Sequence, residues 1–224
     1  MDERRILTVM FCDLVGSTAL SAALDPEDLR EVVRLYQEVG SAAIESVGGQ
    51  VAQYLGDGLL AYFGWPLVAE DDASRAVTAG LRILQGLGEL NQRVEAQYRF
   101  SLRARVGIQT GEAVVGETGR GMAQGTLAFG ATPNIAARIQ SIADPNTIFV
   151  GDMTASLIGD AFDLEERGCF EIHGARHPMR VARVLCERNH QRRFRVSESR
   201  GLTAMVARYD ERYRLQTAWR HARR

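Results

Sequence analysis

Residues 5–12, RILTVMFC, form a nearly unbroken apolar run of strand length, the pattern of a strand covered on both faces. The period then changes. Leu29, Val32, Val33, Tyr36, Ala43 and Val47 recur at helical spacing, with Asp25 placed to cap, Pro26 suited to the first position and Gly48-Gly49 to end the helix. VAQYLGDGLLAYFG sets two short apolar runs around Gly56-Asp57-Gly58, the signal of a hairpin. Residues 70–90 open with Glu70-Asp71-Asp72 and repeat Ala73, Ala76, Val77, Leu81 and Leu84, a second helix with acids at its positive end. In SLRARVGIQTG, Leu102, Ala104, Val106 and Ile108 face one way and Arg103, Arg105 and Gln109 the other. TLAFGATPNIAARIQSI reads as a strand, a turn and a third helix, and NTIFVG as a further strand. This order predicts an α+β fold, a mainly antiparallel sheet with helices on one face.

Composition narrows the chemistry. All 27 basic residues are arginine, so the chain has no lysine for a Walker A loop or a Schiff base. The four histidines, His173, His177, His190 and His221, fall in the last quarter, away from the N-terminal motif. Cys12, Cys169 and Cys186 are odd in number and without metal-site spacing, which suits a reducing cytoplasm. No apolar run approaches the roughly eighteen residues of a membrane span, and MDERRILT has no signal-peptide core, so a cytoplasmic location is expected. Residues 188–224 hold 11 arginines against Glu198, Asp210 and Glu211, which makes 189–224 a basic tail or linker behind a body at 1–188. A nucleic-acid arm is disfavoured, because arginine enrichment alone discriminates poorly.

VMFCDLVGST carries the sharpest question, for it places Asp13 at the end of a buried strand. An unpaired buried carboxylate is costly and asks for a partner. Asp57 also joins strands that such a sheet sets near Asp13, and two close carboxylates repel unless a cation sits between them. Oxygen-only ligands suit Mg²⁺ or Mn²⁺. Gly16-Ser17-Thr18 offers backbone N–H groups to phosphate at a helix start. The plainer readings make Asp57 a turn residue and Ser17 an ordinary cap.

FCDLVGST, YLGDGLLAYFG, RVGIQTG and GATPNIAARIQ, in this order, resemble the class III adenylate and guanylate cyclase catalytic domain over roughly residues 5–186. The resemblance implies a ferredoxin-like core working as a head-to-tail homodimer with active sites between the chains. It implies that Asp13, Asp57 and the Leu14 carbonyl bind two metal ions per site, Mg²⁺ or Mn²⁺. It implies that Asn134 and Arg138 of the other chain orient the ribose and stabilise charge on the α-phosphate of ATP; their plainer readings are a cap and a surface charge. Arg105 could reach phosphate or be a solvated strand residue. The implied reaction, attack of a ribose 3'-hydroxyl on the α-phosphate, needs positioning, metal and positive charge more than a covalent nucleophile. It would make cyclic AMP for signal transduction.

At the base the chain departs from the family. Where adenylate cyclases commonly carry lysine and aspartate, and guanylate cyclases glutamate and cysteine, it has Gln53 and Leu127. A glutamine amide serves either base, leucine only packs, and Thr126 is the neighbouring hydroxyl. GTP therefore remains an alternative substrate, and a weak or inactive dimerisation or nucleotide-sensing module an alternative function. A diguanylate cyclase is disfavoured because LGDGLL lacks that family's Gly-Gly-Asp/Glu-Glu-Phe turn. EIHGARHPMRV resembles a family loop that often carries a phosphate-contacting lysine, with His173 or Arg176 as substitutes and core or surface roles as the plainer readings. The tail resembles the join to an NTPase module in bacterial multidomain regulators.

Overall fold

The first strand, β1 (Glu3–Leu14), lies at the centre of an eight-stranded sheet. The computed structural model describes residues 3–118, 125–172, 174, 175, 177–188 and 214, with the side chains of 117, 118 and 125–127 outside that description. After β1 come a short helix α1 (Ser17–Ala23), a long helix α2 (Pro26–Glu45), strands β2 (Gln50–Leu55) and β3 (Gly58–Phe63), and a second long helix α3 (Asp72–Tyr98). Then follow β4 (Ala104–Thr118), β5 (Gly125–Phe129), α4 (Ala131–Ile142), β6 (Thr147–Gly151), α5 (Asp152–Ile158), β7 (Phe162–Phe170) and β8 (Met179–Glu187). Met1–Glu187 forms one compact unit. The basic tail expected at 189–224 lies outside the described residues except for Arg214, as do His173 and Arg176. Among the described residues no helix is long and apolar enough to cross a membrane.

The sheet order is β2-β3-β1-β4-β6-β8-β7, with β5 folded onto β4. Its first four strands with α2 and α3 are a split βαβ unit, the ferredoxin-like arrangement, and every pair is antiparallel except β4 with β6. α2 and α3 cover one face, where Met10, Cys12 and Leu14 meet Tyr36, Leu59, Ile83 and Val106 in the main core. Burying such side chains stabilises the fold by about 1.5–3 kcal/mol each. Pro26 stands at the first position of α2 as expected, while Asp25, at the cap, makes no side-chain capping bond.

The sequence pattern places all three of its helices on one face; α2 and α3 lie there, whereas α4 lies against the other. Ala136 packs there on Leu7, Val9 and Tyr62, and Ile135 and Ile139 on Phe149. Gly107 makes the contact possible. A Cβ there would run into the Gln140 backbone nitrogen and stand 2.6 Å from the Ala136 carbonyl oxygen. The polar side of β4 is consequently not a solvated face: Gln109 is buried and Arg105 is half-buried, its Nε buried without a hydrogen-bond partner among the described residues. β4 also continues beyond the alternating stretch, which ends at Gly111, because β1 pairs with it from Leu14↔Ala104 to Glu3↔Val115.

Candidate functional site

Asp13 comes from the last turn of the β1 pleat, opposite Arg105 on β4. On the other side of β1, β3 starts at Gly58, and its hairpin with β2 closes at Leu55↔Gly58, leaving Gly56-Asp57 as a two-residue loop. Gly56 has φ +65°, the left-handed conformation that such tight loops require. At Gly58 an added Cβ would stand 3.3 Å from the Leu55 carbonyl oxygen, 3.4 Å from that of Cys12 and 3.5 Å from Asp13 Oδ1. Only the Leu55 carbonyl would be crowded, the contacts with Cys12 and Asp13 being ordinary van der Waals distances, so the hairpin end packs directly against the carboxylate. The amide Nε2 of Gln37 on α2 donates to the Gly56 carbonyl at 2.8 Å and ties the loop to the helix. Two carboxylates distant in sequence, Asp13 and Asp57, thereby meet at one end of the sheet.

Burial and mutual repulsion dominate their electrostatics. The Asp13 carboxyl is raised from 3.8 to about 6, first by burial and then by the charge and close approach of Asp57; the Leu14 N–H and the Arg105 charge oppose this. Asp57 Oδ2 is buried without a hydrogen-bond partner among the described residues. An orphaned carboxylate oxygen of this kind costs about 1–3 kcal/mol. Two hard, electron-rich oxygens with no donor between them fit a divalent cation such as Mg²⁺ or Mn²⁺. Among the described residues no group of three or more His, Cys, Asp or Glu side chains converges, so backbone, water or substrate oxygens would complete the coordination. Beneath the pair the buried Tyr36 hydroxyl donates to Cys12 Sγ at 3.1 Å, and burial pushes the Cys12 thiol up to about 12. That thiol is a packed core group and no nucleophile at neutral pH.

Beside Asp57 opens a cleft of about 710 Å³, walled by Ser17 and Thr18 of α1, by Arg30, Arg34 and Gln37 of α2 and by the Gly56-Asp57 loop. α1 starts from Gly16, φ +75°, with no side-chain capping bond, so the reading of Ser17 as an ordinary cap does not hold. Leu14 is buried, and the Val15 N–H donates to the Arg103 carbonyl at 2.7 Å, which fixes the chain between strand and helix.

The remaining sequence-predicted residues are spread around this centre. Gln53 is exposed on β2 beside a register irregularity, opposite Leu60 and on the same sheet face as Asp13. Leu127 and Thr126 pair by backbone with Gly116 and Glu117; their side chains lie outside the described residues. Asn134 and Arg138 are both exposed, one helical turn apart on α4, and Asn134 Nδ2 donates to the Gly130 carbonyl at 3.3 Å. No hydrogen bond or ion pair among the described residues joins either of them to Asp13 or Asp57. Gln37, Gly58 and Arg30 are additions that the sequence reading missed. Gly58 was signalled by the Gly-Asp-Gly triplet, whereas Gln37 and Arg30 have no signal beyond a polar stripe on a helix.

The fold, with a carboxylate pair at the ends of its central strands, defines a class III nucleotidyl cyclase domain. The chain belongs to the adenylate and guanylate cyclase catalytic-domain family, whose model matches residues 1–184. It is 29% identical over 139 residues to adenylate cyclase 1 of Rhizobium meliloti (strain 1021), covering 62% of this chain and 21% of that protein. The crystal structure of the adenylyl cyclase CyaB from P. aeruginosa is similar at a TM-score of 0.80 and 30% identity, over 84% of this chain and 97% of that one. That of the guanylyl cyclase Cya2 is similar at 0.80 and 31%, over 84% and 95%. The chain spans about a fifth of the length of the curated relatives it matches. Relatives of both base preferences thus stand equally near.

Proposed function

We propose that residues 1–188 are a catalytic domain that converts ATP to 3',5'-cyclic AMP and pyrophosphate at two composite sites of a homodimer. The observation that carries this reading is the carboxylate pair, with Asp13 raised to about 6 and Asp57 Oδ2 orphaned. Asp13, Asp57 and the Leu14 carbonyl would hold two Mg²⁺ or Mn²⁺ ions. Bound there, such ions make the ribose 3'-hydroxyl more acidic and carry the charge of the triphosphate.

The chain's own residues supply the rest. The backbone of Gly16, Ser17 and Thr18 borders the phosphates, with Arg105 beside Asp13 adding positive charge. Gln53, on the Asp13 face, meets the edge of the base, and the Thr126-Leu127 segment borders it. The partner's Asn134 and the partner's Arg138 orient the ribose and stabilise the charge that builds on the α-phosphate, where one preorganised donor contributes about 3–4 kcal/mol. Exposure of both side chains, with no bond to the carboxylates of their own chain, supports a role across a two-fold interface.

The test is incubation of the chain with ATP or GTP and Mn²⁺, followed by chromatographic detection of the cyclic product. The proposal expects cyclic nucleotide from the wild type and a loss of several orders of magnitude in Asp13→Ala and Asp57→Ala. Product formation that survives both substitutions contradicts it, and so does a wild type that binds nucleotide but makes no cyclic product.

A further inference from the structure

α2 presents three polar side chains to the cleft beside Asp57, and each is engaged differently. Gln37 holds the Gly56 carbonyl. Arg34 is gripped by Glu31 through two hydrogen bonds of 2.7 and 2.8 Å and by Glu38, so its charge is already balanced. Arg30, one turn before Arg34 and exposed, makes no hydrogen bond or ion pair among the described residues although it lines the same cleft. A guanidinium is never deprotonated in water, and its fork of donors matches phosphate oxygens. On the cleft wall it has no hydrogen-bond or ion-pair partner among the described residues.

The placement of Gln53 and Arg30 on opposite sides of the sheet says which phosphate would meet Arg30. Gln53 lies on the sheet face turned away from α2, and Arg30 lies on α2 itself. A nucleotide whose base lies by Gln53 and whose phosphates are held at Asp13 and Asp57 rounds the strand ends with its last phosphate toward Ser17, Thr18 and Arg30.

We infer that Arg30 is a substrate-binding residue that grips the terminal phosphate of the nucleoside triphosphate and, after cyclisation, the distal phosphate of pyrophosphate. The inference rests on the reading of Asp13 and Asp57 as the metal-binding pair. Arg30 thus reads the length of the phosphate chain, a triphosphate against a diphosphate.

The experiment is calorimetric binding of 3'-deoxy-ATP and 3'-deoxy-ADP, which cannot cyclise, to the full chain with Mn²⁺. Wild type, Arg30→Ala, Arg30→Lys and, as a charge-matched control, Arg4→Ala, exposed at the far end of β1 from Asp13, are compared. Arg30→Ala is expected to weaken 3'-deoxy-ATP about tenfold while leaving 3'-deoxy-ADP within about twofold, the effect of losing one charge-assisted contact to a solvated phosphate. Arg30→Lys recovers part of the loss, and Arg4→Ala matches the wild type. Unchanged 3'-deoxy-ATP binding in Arg30→Ala overturns the inference, as does an equal loss of both ligands. A wild type that binds neither ligand with Mn²⁺ overturns the metal-pair reading and this inference with it, a result distinct from the other two.

Discussion

Replacing Asp57 by asparagine should make the metal-free protein more stable while abolishing its response to metal. Asp13 is raised from 3.8 to about 6, first by burial and next by Asp57. A carboxyl whose folded pKa lies above its unfolded one binds its proton more tightly in the native state. Native stability therefore falls as pH rises from about 4 to about 6, and the deficit is complete above the folded value. At 1.36 kcal/mol per unit the two-unit rise sets a ceiling of about 3 kcal/mol. Asp13 is partly exposed and burial persists in the variant, so relief of the Asp57 charge alone is worth about 1 kcal/mol. For a domain of this size that is an increase of roughly 2–4 °C in Tm. Thermal melts followed by circular dichroism, in EDTA at pH 7.5, should show Asp57→Asn above the wild type, with the gap closing near pH 4. Adding Mn²⁺ at pH 7.5 should raise the wild-type Tm and leave that of the variant in place. A variant that melts at or below the wild type in EDTA at pH 7.5 would refute the argument that the two carboxylates repel.

Three further outcomes follow from the same geometry. Gln37→Ala removes the bond to the Gly56 carbonyl, and should lower kcat about tenfold through a displaced Asp57 while costing only about 0.5–1.5 kcal/mol of stability; unchanged kcat in steady-state assays counts against a positioning role. If Gln53 reads the base through an amide that suits either edge, kcat/KM for ATP and GTP should differ by less than about a thousandfold, and a larger ratio means that another group discriminates. Gly107→Ala would drive a Cβ into the backbone of α4, so denaturant unfolding should show a loss of at least about 2 kcal/mol; a neutral result would mean that α4 moves freely on the sheet.

Much of this arrangement was legible because the relevant signals are local. The apolar run of β1, the periodicity of α2 and α3 and the Gly-Asp-Gly loop each depend on neighbours in the chain, and each element formed over the stretch its pattern marked, with ends that differ. α3 runs on to Tyr98, past the predicted end at residue 90, because Leu87, Leu90 and Val94 keep its buried stripe going. The side of the sheet taken by α4 was not legible. It depends on Gly107 and Gly111, which in a strand read as weak points and are in fact where Gln140 and Thr132 approach. That covering helix also explains why Gln109, placed by alternation on the polar side of β4, is buried. At the site, Asp13 and Asp57 could be paired from their positions at strand ends. Gln37 and Arg30 could not, since nothing local separates a helix residue that faces a cleft from one that faces water.

The central claim is that a complete site takes Asp13 and Asp57 from one chain and Asn134 and Arg138 from its partner. The most direct test mixes Asp57→Ala chains with Asn134→Ala chains, each inactive alone, and measures cyclic nucleotide. In a mixed dimer one site collects both lesions and the other none. With equal, random exchange half of the dimers are mixed, each with one intact site, so activity should return to about a quarter of the wild-type rate per chain. Chains that exchange subunits, as tagged co-purification would show, and still make no cyclic nucleotide would contradict the composite site.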